Sequence, residues 1–379
     1  MAWVIGQKLQ GGKYTIDRQL GEGGFGITYR AVNNNGQYVV IKTLNDTVQS
    51  HSHFAKFQQD FLNEAIKLAK CRHANIVSIH EVIQEDTLWC IVMEYIDGEN
   101  LATQVERQGT LSEKEALHYI QQIGEALTVV HNNGLLHRDV KPENIVLRAN
   151  KSEAVLIDFG IAREFTQNLT QTHTQMLADG FAPVEQYDKR AKRGAYTDVY
   201  ALAATLYFLL TGEVPTISPL RAIGTLLEEP KTLNSSISNS VNQAILKGME
   251  VKPENRLQSV QQWLELLSIG AVKLFSSQRV DYTKLRDLLA ADKWKEADRE
   301  TSNLILYAAR PNKGCLLDSE SIKKISCEDL QIINHLWLHY SLGRFGFSVQ
   351  KRIWEKAEGD VDKFGNCVGW RVDNSWRKY

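Results

Sequence analysis

His137-Arg138-Asp139-Val140-Lys141-Pro142-Glu143-Asn144 is the stretch on which the reading of this 379-residue chain turns. Each of its polar positions has a task in moving a phosphoryl group. A carboxylate at Asp139 orients an attacking hydroxyl and accepts its proton, Asn144 offers an amide oxygen suited to a hard divalent cation, and Lys141 steadies the phosphoryl in transfer. Fourteen residues after Asn144, Asp158-Phe159-Gly160 follows the apolar run Val155-Leu156-Ile157. That run predicts a strand whose end delivers a second metal ligand, Asp158.

Toward the N-terminus, Leu20-Gly21-Glu22-Gly23-Gly24-Phe25-Gly26 is a Gly-x-Gly-x-x-Gly loop, in which main-chain amides can approach anionic phosphates without side chains in the way. By itself it fits a glycine-bearing hairpin or a dinucleotide-binding turn equally well. Val39-Val40-Ile41-Lys42 then places a lysine 16 residues after Gly26, where an ammonium reaches a nucleotide's phosphates. Glu64, in the following helix, is a candidate to clamp that lysine by an ion pair, and is otherwise an exposed helical charge. Short alternating runs at 14–20, 27–32, 38–44 and 88–94 predict strands. Phe54, Phe57, Phe61, Ala65 and Leu68 step at three and four, the period of an amphipathic helix. From Ser112 onward the pattern is helical, as in 116–131 and 196–210. The fold class is therefore α+β, with a small β-rich lobe before a larger helical one.

These motifs resemble the eukaryotic-like (Hanks-type) Ser/Thr protein kinases over about residues 14 to 268. The resemblance implies a bilobal protein kinase fold, with ATP and Mg2+ as cofactors and Ser/Thr hydroxyls of proteins as acceptors. It makes Met93 the gatekeeper, Glu94 to Ile96 the adenine-binding hinge, and Val146 part of the floor beneath the base. Ile27, Thr28 and Val40 join the glycine loop in lining the nucleotide site. Pro183-Val184-Glu185 stands at the family's Ala-Pro-Glu, with Glu185 expected to pair with Arg256, and Asp198 braces the catalytic loop. Two departures, Val40 for alanine and Thr28 for valine, are tolerable. Ala178 is the serious one, because it falls where the family carries a threonine whose hydroxyl bridges the catalytic aspartate and lysine. Losing such a bond costs about 1 to 3 kcal/mol in the transition state, a rate deficit of roughly ten- to a hundredfold. Arg138 beside Asp139 points to control by a phosphate on the activation segment, with Thr166, Thr170, Thr172 and Thr174 as candidate sites and a polar loop without special duty as the alternative.

Periodicity weakens near 268–277, which predicts a linker at 269–279 and a separate all-α domain at 280–379. Five of the chain's eight tryptophans fall in that tail, a surplus that fits either a helical core or a flat apolar ligand. His335 and His339 share a helix face, with a solvated or core-edge role favoured over a metal pair. Asp298-Arg299-Glu300-Thr301, Glu328-Asp329-Leu330 and above all Gly343-Arg344-Phe345-Gly346-Phe347-Ser348-Val349-Gln350 with Val368-Gly369-Trp370-Arg371 resemble the Genomes Uncoupled Four family. That resemblance implies a helical cup for protoporphyrin IX or Mg-protoporphyrin and a link to magnesium chelatase in chlorophyll synthesis. Phe345, Phe347 and Trp370 would face the macrocycle, and Arg344 or Arg371 would meet a propionate. Ser326 stands where that family commonly has proline.

Lys and Arg number 44 against 45 Asp and Glu, so no bulk field selects nucleic acid or an anionic membrane as partner. Five scattered cysteines without a Cys-x-x-Cys pair speak against a disulfide framework or zinc site and fit a reducing cytoplasm. The uncharged apolar stretch 199–212 is too short to span a bilayer, so a soluble protein is expected. The reading is thus a Ser/Thr protein kinase with a tetrapyrrole-binding tail. Its alternative is a weakened kinase serving as an ATP-binding scaffold for a porphyrin carrier.

Overall fold

Burial along Gly26–Asn33 alternates, with Ile27, Tyr29 and Ala31 buried and Thr28 and Arg30 half-buried between them. A period of two gives a strand two unlike faces. The computed structural model describes residues 3–23, 25–159, 180–188, 190–267, 274–276, 280–309, 319–341, 343–372 and 375–376. Six strands, β1 (Lys8–Leu9), β2 (Tyr14–Glu22), β3 (Gly26–Asn33), β4 (Tyr38–Leu44), β5 (Ile79–Glu85) and β6 (Leu88–Glu94), form one antiparallel sheet in the order β1-β2-β3-β4-β6-β5. On one face Leu9, Tyr14, Ile27, Tyr29, Ile41 and Val92 form an apolar core, against which Phe54 packs. The helix that Phe54 opens, α2 (Phe54–Leu68), follows the short α1 (Asp46–Gln49) and buries Phe57, Phe61, Ala65 and Leu68. The register places Thr28 opposite Lys42, and sets Arg30, Val40 and Met93 in one row across β3, β4 and β6.

A second sheet, β7 (Gly98–Asn100), β8 (Ile145–Arg148) and β9 (Ala154–Leu156), brings the catalytic loop and Asp158 to one end, because β8 begins where antiparallel β9 ends and the Ile157 amide donates to the Asn144 carbonyl at 2.9 Å. Gly98 is required there, since a Cβ at that position would lie 1.7 Å from the Leu147 carbonyl oxygen. In chain order the helices that follow β7 are α3 (Leu101–Gln108), α4 (Glu113–Asn132), α5 (Ala195–Thr211), α6 (Ser218–Ala222), α7 (Pro230–Leu233), α8 (Asn239–Gly248) and α9 (Val260–Leu267). Every residue of α5 from Thr197 to Leu210 is buried, which accounts for the uncharged stretch of the sequence as a core helix. Among the described residues no helix is long and apolar enough to cross a membrane.

Two compact units result, Met1–Ile237 with Ile245–Gln261, and Ser238–Ala244 with Gln262–Tyr379. In the second, Trp263 of α9 is fully buried and donates its indole N–H to the Ala244 carbonyl at 2.9 Å. This unit continues through α10 (Thr283–Ala290), α11 (Trp294–Ala309), α12 (Ser319–Lys323), α13 (Cys327–Tyr340), α14 (Phe347–Lys356) and α15 (Val361–Cys367). Its core joins Val280, Tyr282, Leu285, Leu289, Leu304, Ile332, Ile333 and Leu336. One detail differs from an all-helical tail: β10 (Arg371–Val372) and β11 (Ser375–Trp376) pair as a short antiparallel ladder. Ladders of two residues leave no periodicity to read.

Candidate active site

The catalytic loop hangs from one buried carboxylate. Asp198, near the start of α5, accepts the main-chain amides of His137 (2.9 Å) and Arg138 (2.8 Å) and meets His131 Nε2 at 2.7 Å. Burial opposes its ionisation, but the His131 hydrogen bond and charge with the backbone donors hold its carboxyl below the ordinary value. Those amide bonds keep Arg138 in the left-handed region, φ 63°, where a side chain costs energy unless its surroundings fix it. Gln186 adds a further tie by donating to the Arg138 carbonyl at 2.8 Å. His137, wholly buried, accepts from the Asp139 amide at Nδ1 (3.3 Å) and bonds the Ile157 carbonyl through Nε2 (3.1 Å). That pattern belongs to a neutral ring carrying its proton on Nε2, in line with burial pushing its pKa down.

Asp139 and Asn144 come together as the spacing implied. The Asn144 amide nitrogen donates to the Asp139 main-chain oxygen (2.8 Å) and to its Oδ2 (3.1 Å), which turns the amide oxygen of Asn144 to other work. Asp158, also at positive φ (53°), forms an ion pair with Lys42. Desolvation raises the Asp158 carboxyl, and the Lys42 charge and hydrogen bond, helped by Lys141, more than offset it and leave the group below the usual carboxylate range. Lys42 forms its ion pair with Asp158, and Glu64 lies half-buried on α2.

Above this pair, the strand register lines the cleft with Thr28, Val40, Lys42 and Met93. Ile27 is a correction. It is buried on the opposite face, in the sheet core with Tyr14 and Tyr29, because successive strand residues point to opposite sides. Leu20 and Glu22 are exposed on β2. A Cβ at Gly26 would crowd the Thr43 carbonyl oxygen at 3.1 Å, whereas one at Gly21 would meet nothing within 4 Å. Gly24 lies outside the described residues, as do Thr166, Thr170, Thr172, Thr174 and Ala178. At the hinge Met93 and Ile96 are buried, Glu94 donates its amide to the Ser78 carbonyl (2.9 Å), and its carboxylate takes Arg148 at 2.7 Å. Val146 pairs with Val155 in the lower sheet.

Glu185 and Arg256 form a buried two-pronged pair, both contacts 2.7 Å. All five donors of the guanidinium are used, the others going to the carbonyls of Glu250, Tyr196 and Val251, and Thr197 donates to Glu185. The family resemblance implied this pair but not the role of Asn45. Buried Asn45 donates to the Gly23 carbonyl (2.8 Å), binds the Phe25 carbonyl through its amide (3.0 Å) and caps α1, so it braces the glycine loop. An asparagine just before a helix signals a cap; nothing in the sequence ties it to the loop.

In the second unit the tail residues separate into two groups. Phe345, 46% exposed, sits with Trp294 (5.8 Å between ring centroids) and Trp337 (6.1 Å), and the Arg344 guanidinium lies 5.8 Å from the Phe345 ring. Trp337 donates to the Thr301 hydroxyl at 2.8 Å. Phe347, like Trp294 and Trp337, packs against the helical core. Trp370 stacks edge-on to Phe364, and Arg371 pairs with Asp362 at 3.1 Å. Ser326 serves as the cap of α13, accepting from the Asp329 amide (3.0 Å) while Tyr282 donates to the same buried Asp329 (2.6 Å). Burial lowers the pKa of both His335 and His339, and among the described residues no three His, Cys, Asp or Glu side chains gather as a metal site.

A protein kinase domain model matches residues 14–266. The chain belongs to the protein kinase family. A GUN4-like model matches residues 275–379 behind the kinase domain. Among curated proteins, the kinase domain is 30% identical over 266 residues to a probable serine/threonine-protein kinase of Clostridium perfringens, covering 67% of this chain and 38% of that one. It is 32% identical over 269 residues to the serine/threonine-protein kinase PrkC of Bacillus subtilis, covering 68% and 40%. The chain thus spans well under half the length of these relatives. Among solved structures, the apo form of PpkA-294 aligns with a TM-score of 0.61 at 27% identity, covering 70% of this chain and 99% of that one. The PknI kinase domain of Mycobacterium tuberculosis shares the fold, with a TM-score of 0.56 at 22% identity over 71% of this chain and all of that domain.

Proposed function

We propose that this protein transfers the γ-phosphoryl group of ATP to serine and threonine hydroxyls of proteins. The observation that carries the reading is the convergence of Asp139, Asn144, Asp158 and Lys42 beneath a glycine loop. Asp139 receives the acceptor's proton, and Lys42 and Lys141 supply positive charge for the phosphates. The donor set suits magnesium, with an ionised Asp158 and an Asn144 whose nitrogen is already engaged, so that oxygen is what each offers. A magnesium ion held by Asp158 and Asn144 would neutralise phosphate charge. Incubating the full chain with Mg-ATP and a basic protein substrate, then analysing phosphoamino acids, is expected to give phosphoserine and phosphothreonine; phosphotyrosine alone, or none, would count against the reading.

For the tail we infer a tetrapyrrole ligand that biases the kinase or links it to magnesium chelatase. Its support is the partly exposed Trp294, Trp337 and Phe345 cluster with Arg344 beside it, an apolar surface with a cation suited to a propionate. Titration with protoporphyrin IX is expected to quench tryptophan fluorescence after inner-filter correction. Unchanged emission would remove the ligand and leave a protein-docking module.

A further inference from the structure

Arg30 belongs to no motif of the sequence, yet it is among the most heavily contacted charges near the cleft. On β3 it shares the face of Thr28, two residues along, and stands in a row with Val40 and the gatekeeper position Met93. Its Nε and Nη2 both reach Asp17 Oδ2 of β2 at 2.6 Å. Its guanidinium lies 4.2 Å from the Tyr38 ring centre and 5.4 Å from that of Tyr95, and donates to the Tyr95 hydroxyl at 3.4 Å. The two rings are themselves 5.7 Å apart. Only 17% of the Arg30 side chain is exposed. One cation therefore ties β2, β3 and β4 to Tyr95, which sits between Glu94 and Ile96 in the hinge.

Resting on the nucleotide-cleft reading above, we propose that Arg30 is a positioning residue for ATP: its tyrosine-flanked guanidinium holds the hinge at a fixed separation from the glycine-loop strands and so sets the width of the adenine slot. A planar fork that bonds a carboxylate while stacking on aromatic rings is a task for arginine and not for lysine. The contact energy is spent on preorganising the slot, so its loss appears in nucleotide affinity.

The test uses the full chain with Arg30→Met, Arg30→Lys and Tyr38→Ala, measuring Mg-ATP binding by calorimetry and, in parallel, KM for ATP and kcat. About a three- to tenfold rise in Kd and KM is expected for Arg30→Met, with kcat at saturating ATP retained, a smaller rise for Tyr38→Ala, and only partial rescue by Arg30→Lys. Unchanged affinity in both Arg30→Met and Tyr38→Ala overturns the proposal, as does a fall in kcat with KM and Kd constant. Should Arg30→Met fail to fold, Tyr38→Ala decides by the same criterion. If the unaltered chain binds Mg-ATP without transferring phosphate, the catalytic reading falls and the calorimetric Kd still decides the role of Arg30.

Discussion

By the family resemblance, Ala178 stands where a threonine hydroxyl would bridge the catalytic aspartate and lysine, and that expectation can be tested directly. Restoring the hydroxyl by Ala178→Thr is expected to raise kcat by about ten- to a hundredfold; a rate within about twofold of the unaltered chain would show that the position is not rate-limiting. His137 offers a second handle. Its folded-state pKa lies below its ordinary value because the ring is buried and neutral, so the folded protein binds fewer protons than the unfolded chain. Stability carries no cost from this group above about pH 6.5 and is lost as pH falls through that value toward the folded pKa. Asp198, also depressed, acts in the same direction at lower pH. The first thermal unfolding transition should therefore move down between pH 7.5 and 5.5, and less so in His137→Gln; a midpoint independent of pH over that range would contradict the neutral-ring assignment.

At the level of elements, the loop 137–144 has one turn of 3-10 helix, Pro142–Asn144, and is otherwise held by tertiary ties. Asp198 of α5 fixes it from below and Gln186 from the side, and Gln186 adjoins the Glu185–Arg256 pair. Removing one member of that pair leaves a buried charge without its partner, a loss of about 3 to 5 kcal/mol. Glu185→Ala should accordingly lower the unfolding midpoint by several degrees and cut phosphate transfer with it, whereas a midpoint like that of the unaltered chain would mean the pair is not structural. Much of this was legible in advance. The alternating runs gave four of the strands, most cleanly Gly26–Asn33, whose burial alternates, and the steps of Phe54 to Leu68 gave α2, which buries one regular face. What escaped was set by register and long-range contact: Ile27 falling on the core face, Lys42 pairing with Asp158, Asn45 bracing Gly23, and the β10–β11 ladder. The strand β5, with half-buried and charged residues through most of its length, carried no clear period.

On the scale of the whole molecule, a kinase domain precedes a GUN4-like region, and the question is whether one informs the other. If tetrapyrrole binding biases phosphotransfer, protoporphyrin IX should change the kinase rate of the full chain and Phe345→Ala should abolish that change while leaving the basal rate; an identical rate with and without porphyrin would separate the two functions. All of this rests on phosphate transfer by Asp139. The most direct measurement compares transfer from radiolabelled Mg-ATP to a basic protein substrate by the unaltered chain and by Asp139→Asn. A loss of roughly 10²- to 10⁴-fold in the variant is expected, and equal incorporation by the two proteins, or none by either, would contradict the account.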